Sequence, residues 1–469
     1  MSSKNRTDKP EGIDDILALL LALSGSQDEL ELLLISVTFG NVEVLNCLRN
    51  VVSLFHTIEK ELEWRKNSGR TGGFETLKKF KPKVAVGADE PLADQLLMAD
   101  YFHGIDGLGG IHSSHPHLSP SDTWKNLFTE ALASGSSEEK EAAHELQHSD
   151  TLFTPISTPA HEEILRLLRE NPPNSITIIA IGPLTNLART AATDPETFLR
   201  VKEVVVMGGA ISEPGNVCDT IPSTQPPSTP PSPPPLITPT AEFNIYADSI
   251  AASRIFALTS PNPSSTMPPP PPSSSSNPPP PPPPFLGPYP PSLSQRLNLT
   301  LFPLDITTTH LLTRSQFHRT VSPLVSSGSP LAKWCTAFMD STFSKMESLM
   351  ERLPGADPGD VGLSLHDPLC VWYVLTQGGS RRGQWKKGGE EDVRVETSGQ
   401  WTRGMCVVDR RGRREIGDGE GEVVGEKGEV KGDHGGWLSR SRGNRVRRVV
   451  ETPGVEVFAG ELLERIFGV

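Results

Sequence analysis

The sequence predicts an α/β protein, built on a mostly parallel open sheet with helices on both faces. Three observations predict it. Ser175 to Ile181 (SITIIAI) is β-branched and apolar throughout, the pattern of a parallel strand buried on both faces. Helical spacing, as in His161 to Arg169 (HEEILRLLR), alternates with such runs. Gly- and Asn-bearing turns follow the strand runs, at the strand ends where these sheets place their ligands.

The elements follow in order. Asp14-Asp15 precedes the apolar run Ile16 to Leu23, which reads as a helix. Two carboxylates there would cap the helix and complement its dipole. Leu30 to Val37 reads as a buried strand ending in Thr38-Phe39-Gly40-Asn41, and Lys83 to Val86 as another. His103-Gly104-Ile105-Asp106-Gly107-Leu108-Gly109-Gly110 reads as a loop whose glycines permit close approach to a ligand. The SITIIAI strand runs into Gly182-Pro183-Leu184-Thr185-Asn186 and a helix. Val204 to Met207 is a strand ending in Gly208-Gly209, with Gly215-Asn216 beyond. Then come Glu242-Phe243-Asn244-Ile245-Tyr246-Ala247-Asp248, and Leu365-His366-Asp367-Pro368 ahead of a helix over Leu369 to Leu375. Arg394 to Val408 looks strand-like.

A length of 469 residues allows one large domain with insertions, or two domains. The reading is one domain over 12–469 with an atypical N-terminus over 1–11. Two Pro-rich insertions, Cys218 to Ile237 and Pro261 to Pro291, and a Gly/charge-rich loop region, Gly378 to Gly443, interrupt it. The Pro-rich segments have too little apolar surface to offset their ordering entropy, so they are expected as surface linkers outside the core. The alternative is a PPII ligand for SH3- or WW-type domains.

The net charge of -13 argues against nucleic acid as a partner. The basic run Arg440 to Arg448 reads as solvated loop. Five widely spaced cysteines without C-x-x-C argue against a disulfide framework or zinc site and fit a reducing compartment. The longest strongly apolar run, Ile16 to Leu23, is too short to span a bilayer and follows acidic rather than basic residues. A soluble cytoplasmic protein is the expectation.

Taken together, the motifs resemble the inosine/uridine-preferring nucleoside hydrolases, in a fungal-type branch. Gly12 to Asp15 matches the second half of the family's opening D-x-D-P-G-x-D-D. The GN loop, HG-x-DGLGG, IGPLTN, MGG, EFN-x-x-AD and HDP follow in the family's order, from about residue 12 to 375. The resemblance implies a Rossmann-like nucleoside hydrolase fold, calcium, and hydrolysis of a ribonucleoside to ribose and free base in a dimer or tetramer. By resemblance, Asp15, Asp367 and the Ile181 carbonyl are calcium ligands. Asp14, Asn41, Asn216, Glu242 and Asn244 match substrate-contacting positions, with Met207 lining the sugar pocket. His366 matches a proposed proton donor to the leaving base, and His103 lies near the base pocket. A hard cation suits the reaction, because it positions a water and the ribose hydroxyls around an oxocarbenium-like transition state.

The chain departs from the family at the first motif. Aligned without gaps, the family's first aspartate falls on Asp8. The aspartate that binds calcium and serves as general base then falls on Pro10, whose side chain can do neither. A gapped register gives that role to Asp8 or Glu11. The apolar strand that precedes this motif in the family is also missing, since Met1 to Thr7 reads MSSKNRT. Three explanations stay open: a mis-joined coding sequence at the start and at Cys218 to Ile237, a non-catalytic homologue, or Asp8 or Glu11 as the substitute base. An interaction protein acting through its polyproline tracts is a further alternative.

Overall fold

The computed structural model describes residues 13–70, 72–94, 96–97, 104, 106–120, 128, 151–217, 238–268, 283–350, 360–377, 384–412, 416, 430 and 432–468. Asp8, Pro10, Glu11, His103 and the 218–237 insertion lie outside them.

Two mainly parallel sheets carry the fold, beside an antiparallel pair of β7 (Leu311–Thr313) and β8 (Gly362–Ser364). The first holds β1 (Leu34–Val37), β2 (Lys83–Val86) and β3 (Thr154–Ile156) in the order β1-β2-β3, with Leu34 opposite Lys83. The second has the order β4-β5-β6-β12-β9. It comprises β4 (Thr177–Ala180), β5 (Glu203–Met207), β6 (Leu299–Phe302) and β12 (Val446–Glu451), all parallel, with β9 (Lys386–Glu391) antiparallel at its edge. β5, paired on both sides within its sheet, is buried at all five positions, as its run of three valines requires.

Helices cover the sheets. α1 (Ile13–Leu23) packs on α9 (His366–Thr376); α2 (Val44–Asn67) packs on α8 (Pro330–Met350). α3 (Ala160–Glu170), α4 (Thr185–Thr193) and α6 (Ser249–Ala257) form another layer, reached through the short α5 (Phe243–Ala247). α7 (Arg314–Ser327) and α10 (Val455–Phe467) complete the larger core, whose buried side chains include Trp334, Phe338 and Trp372. Among the described residues no helix is long and apolar enough to cross a membrane, and Cys47, Cys335, Cys370 and Cys406 are free.

Four expectations need correction. The SITIIAI strand is only half-buried along Thr177–Ala180, because β4 ends its sheet instead of lying within one. The flanks of the 261–291 insertion are packed: Pro263, Leu286 and Tyr289 are buried. Arg254 on α6 lies over the Tyr289 ring at 4.8 Å and donates to the Gly287 carbonyl at 2.8 Å. The apolar residues among the prolines supply that anchoring, which proline content alone conceals. The 378–443 region contains β9 and an antiparallel pair of β10 (Arg394–Val395) with β11 (Cys406–Val407), so Arg394 to Val408, expected as strand-like, is two short strands at the ends of a loop. Finally, the end of the Arg440–Arg448 run enters β12. There Arg447 pairs with Glu390 at 2.9 Å and Arg448 with Glu391 at 2.6 Å across the ladder to β9. Cross-strand charge pairing thus offsets the poor strand propensity of KKGGEE.

Candidate active site

The packing of α1 on α9 brings two helix N-termini together, and each carries acid in its first turn: Asp14 and Asp15 on α1, Asp367 on α9. The Asp367 backbone N–H donates to Asp14 Oδ2 at 3.2 Å, so each helix helps to fix the other. One carboxylate oxygen from each of Asp14, Asp15 and Asp367 lies within 4.8 Å of the others. Asp14 and Asp367 are buried, while Asp15 keeps a partial opening to solvent. Asn41, from the loop after β1, donates from Nδ2 to Asp15 Oδ2 at 3.4 Å.

Loss of water and the adjacent Asp14 charge push the Asp15 carboxyl well above the usual carboxylate range; a hydrogen bond shared with Asp367 and one donated by Asn41 oppose them. Three carboxylates this close in a partly dry site repel one another. Their dipole-favoured seats at helix N-termini offset that only in part. Among the described residues, Asn41 Oδ1 is a buried acceptor with no hydrogen-bond donor beside Asp15. An all-oxygen donor set with surplus negative charge and an unused acceptor fits a hard divalent cation.

The strand ends of the second sheet hold a second group of the expected residues. Asn244 on α5 donates from Nδ2 to the Ile181 carbonyl at 3.2 Å and the Met207 carbonyl at 3.4 Å, bridging the ends of β4 and β5. A carbonyl oxygen has two lone pairs, so Ile181 can still accept a cation. Glu242 caps α5: its oxygens accept from Asn244 N at 2.7 Å and Ile245 N at 3.0 Å, and from Gly209 N at 2.8 Å. Gly209 sits at φ +83°, and a Cβ there would meet Cys406 Sγ at 2.9 Å, so the hairpin from the C-terminal region backs this strand end. Asn216 Oδ1 accepts from Phe243 N at 2.9 Å. Met207 is buried at the end of β5.

His366 is 1% exposed, with Nδ1 2.7 Å from Thr307 Oγ1. That hydroxyl also donates to the Pro303 carbonyl at 3.3 Å. It therefore acts as acceptor toward the ring, which makes Nδ1 the protonated nitrogen of neutral His366.

The acidic cluster thus unites Asp14, Asp15, Asp367 and Asn41, and a second group at the ends of β4 and β5 unites Ile181, Met207, Asn216, Glu242 and Asn244. Asp8 and His103 lie outside the described residues. Sequence reasoning missed the residues that hold these loops. Asp106 accepts from the backbone N–H groups of Leu108, Gly110 and His112 at 3.0, 2.8 and 2.9 Å. Asn186 accepts from Ala88 N at 2.7 Å and donates to Ser36 Oγ at 2.9 Å and Val37 O at 3.1 Å, tying the loop after β4 to β1 and β2. Asp248 caps α6 and accepts from Thr185 Oγ1 at 2.7 Å and Leu92 N at 2.9 Å. The available signal was position: each is the polar residue inside a Gly- or turn-rich motif.

Residues 7–431 match the family model described as inosine-uridine preferring nucleoside hydrolase. A pyrimidine-specific ribonucleoside hydrolase, RihA, of Salmonella typhimurium is 26% identical over 400 residues, covering 85% of this chain and 86% of that protein. An uncharacterized protein of Schizosaccharomyces pombe is 26% identical over 405 residues, covering 86% and 87%. Among solved structures, a plant nucleoside hydrolase aligns with a TM-score of 0.56 at 20% identity, covering 97% of this chain and 96% of its own. A purine-preferring ribonucleoside hydrolase from Gardnerella vaginalis aligns at 0.57 and 19%, with the same coverage. These structural likenesses carry the fold.

Proposed function

The chain belongs to the inosine-uridine preferring nucleoside hydrolase family, and from that premise we propose that it cleaves the N-glycosidic bond of ribonucleosides with calcium at the acidic cluster. The observation that carries this reading is the convergence of Asp14, Asp15 and Asp367 within 4.8 Å at paired helix N-termini. Asp15, Asp367 and the Ile181 carbonyl would hold the cation. Bound there, calcium would anchor the ribose diol and make its coordinated water more acidic.

The remaining work falls to side chains. Asp14, Asn41, Asn216 and Asn244 orient the ribose hydroxyls, and Glu242 joins them while also fixing Gly209 and the start of α5. Met207 closes the sugar side with apolar surface. His366, held by Thr307 through its Nδ1–H, presents Nε2 to the departing base; as imidazolium it gives the Nε2 proton to the leaving group and returns to that neutral tautomer. His103 contacts the base. Asp8 is the proposed proton acceptor for the water, in place of the aspartate that the ungapped alignment replaces with Pro10. The reading extends to a cytoplasmic dimer or tetramer whose polyproline runs dock on SH3- or WW-type domains.

The test is release of free base from inosine and uridine by the purified chain, with and without a calcium chelator. Chelator-sensitive release is the expected result. Release that ignores the chelator would remove the metal from the reaction. Pro10 favours a second reading, a homologue that binds ribonucleoside without hydrolysing it. Calcium-dependent nucleoside binding without base release would establish that reading instead.

A further inference from the structure

His112, which lies outside every motif matched above, sits at the centre of a closed polar network under the glycine loop. It is 7% exposed. Its Nε2 is 2.8 Å from Asn50 Oδ1, and its Nδ1 is 2.6 Å from Ser119 Oγ. Asn50 donates from Nδ2 to the Asp106 carbonyl at 2.8 Å, so its Oδ1 must be the acceptor toward His112. The ring is therefore an Nε2–H imidazole that accepts the Ser119 hydroxyl at Nδ1. Burial and the Arg49 charge hold it neutral, with its pKa lowered to about 4 against a smaller opposing pull from Asp106.

The network leads to the acidic cluster. Asp106 gathers the N–H groups of Leu108, Gly110 and His112. Gly107, at φ +75°, lies so close that a Cβ would meet Val42 Cγ2 at 3.0 Å and Asn50 Nδ2 at 3.3 Å. Val42 follows Asn41, and its carbonyl accepts from Gly40 N at 3.2 Å, closing the turn that presents Asn41 to Asp15.

We propose that His112 is a positioning residue for the candidate site: through Asn50 it seats the glycine loop against Val42 and so holds Asn41 on Asp15. The role assigned to Asn41 and Asp15 rests on the proposed function; the mechanical link does not. Glutamine at position 112 can place an N–H where Nε2 stands, whereas asparagine reaches only the Nδ1 side. The link therefore predicts different behaviour for two variants of similar polarity.

The experiment is hydrogen exchange on the full chain without metal, comparing H112Q, H112N and the milder S119A. H112N is expected to speed exchange at least threefold in both 106–119 and 39–44, with H112Q close to the parent and S119A between them. A calcium titration of the same proteins should show H112N binding at least threefold more weakly and H112Q restored. Faster exchange confined to 106–119, or equal behaviour of H112Q and H112N, overturns the proposal. If H112N does not fold, unchanged exchange at 39–44 in S119A overturns it as well. Absence of calcium binding in the parent would sink the metal reading alone, since the exchange comparison decides the link by itself.

Discussion

Asp14 and Asp367, 353 positions apart, meet where the Asp367 backbone N–H donates to the Asp14 carboxylate at 3.2 Å. The bond joins the first turns of α1 and α9 and sets the spacing of the acidic cluster. It also makes Asp14 a helix-capping residue before it is anything else. Its replacement should cost stability as well as binding, whereas the role proposed for Asp15 and Asp367 is to hold the cation.

Asp15→Asn and Asp367→Asn separate those roles. Each removes one anionic oxygen from a set that could hold a hard cation. Changing even the outer partners of a metal site costs 10–100-fold in affinity, so loss of a ligand should weaken calcium binding by roughly 100-fold or more. Without metal, neither substitution should lower the melting temperature, because each relieves crowding among three carboxylates. Calorimetry with and without calcium reads both effects. A metal-free Asp15→Asn chain melting well below the parent would show that the cluster is structural.

Asn186→Ala should be among the most damaging single changes away from the cluster. The side chain satisfies the Ala88 N–H and donates to Ser36 Oγ and the Val37 carbonyl, and it is itself buried. Leaving such groups unpaired costs about 1–3 kcal/mol each, so a loss of about 2–4 kcal/mol is expected in denaturant unfolding. Gly87→Ala should act through the same contact, since a Cβ there would lie 2.2 Å from Asn186 Nδ2. A loss under 0.5 kcal/mol for Asn186→Ala would mean the loops hold without it.

The Glu29–Arg465 pair, 2.9 Å apart, ties the segment after α1 to the last helix. The bond from Arg465 lowers the Glu29 pKa from 4.5 to about 2. A depressed carboxylate contributes stability above its unfolded pKa and loses it as pH falls through the folded one. The contribution is therefore complete above about pH 5 and gone near pH 2. Both side chains face solvent in part, so screening leaves roughly 0.5 kcal/mol. Glu29→Gln should be destabilised by that amount at neutral pH and converge on the parent as pH falls from 4.5 towards 2. A difference that persists at pH 2 would assign the effect to packing.

Periodicity made most of the parallel strands legible, because β-branched runs such as that of β5 announce themselves. The acidic cluster was legible only as motifs at separate strand ends. Its convergence depends on how α1 packs on α9, which no local pattern encodes. The depth of β4 was misjudged for a related reason: an apolar run has the same composition whether or not a neighbouring strand covers its second edge. Asp106 was read as part of a ligand-facing loop, yet its carboxylate faces inward to three N–H groups. Its neighbours in sequence do not show which way it turns.

The last prediction follows from β4. Among the described residues β1 and β4 each end a parallel sheet with one edge unpaired, and β4 is half-buried despite its apolar sequence. Strands of this composition are stable when both edges are paired and both faces covered. A chain carrying an apolar strand and D-x-D-P-G immediately ahead of Ile13 should pair along one of those edges and unfold at higher denaturant. It should also regain a carboxylate at the position where Pro10 now aligns. Positioned general bases contribute about 10²–10⁴-fold to rate, and a further calcium ligand adds to that. Base release from inosine or uridine should therefore rise by at least about 100-fold and become chelator-sensitive. Pro10→Asp alone should recover less, because it supplies the carboxylate without the strand that positions it. Equal activity in the present and restored chains would mean that Asp8 or Glu11 already serves as the base. A restored chain that gains stability and binds calcium, yet releases no base, would place the defect in the pocket and support binding without catalysis.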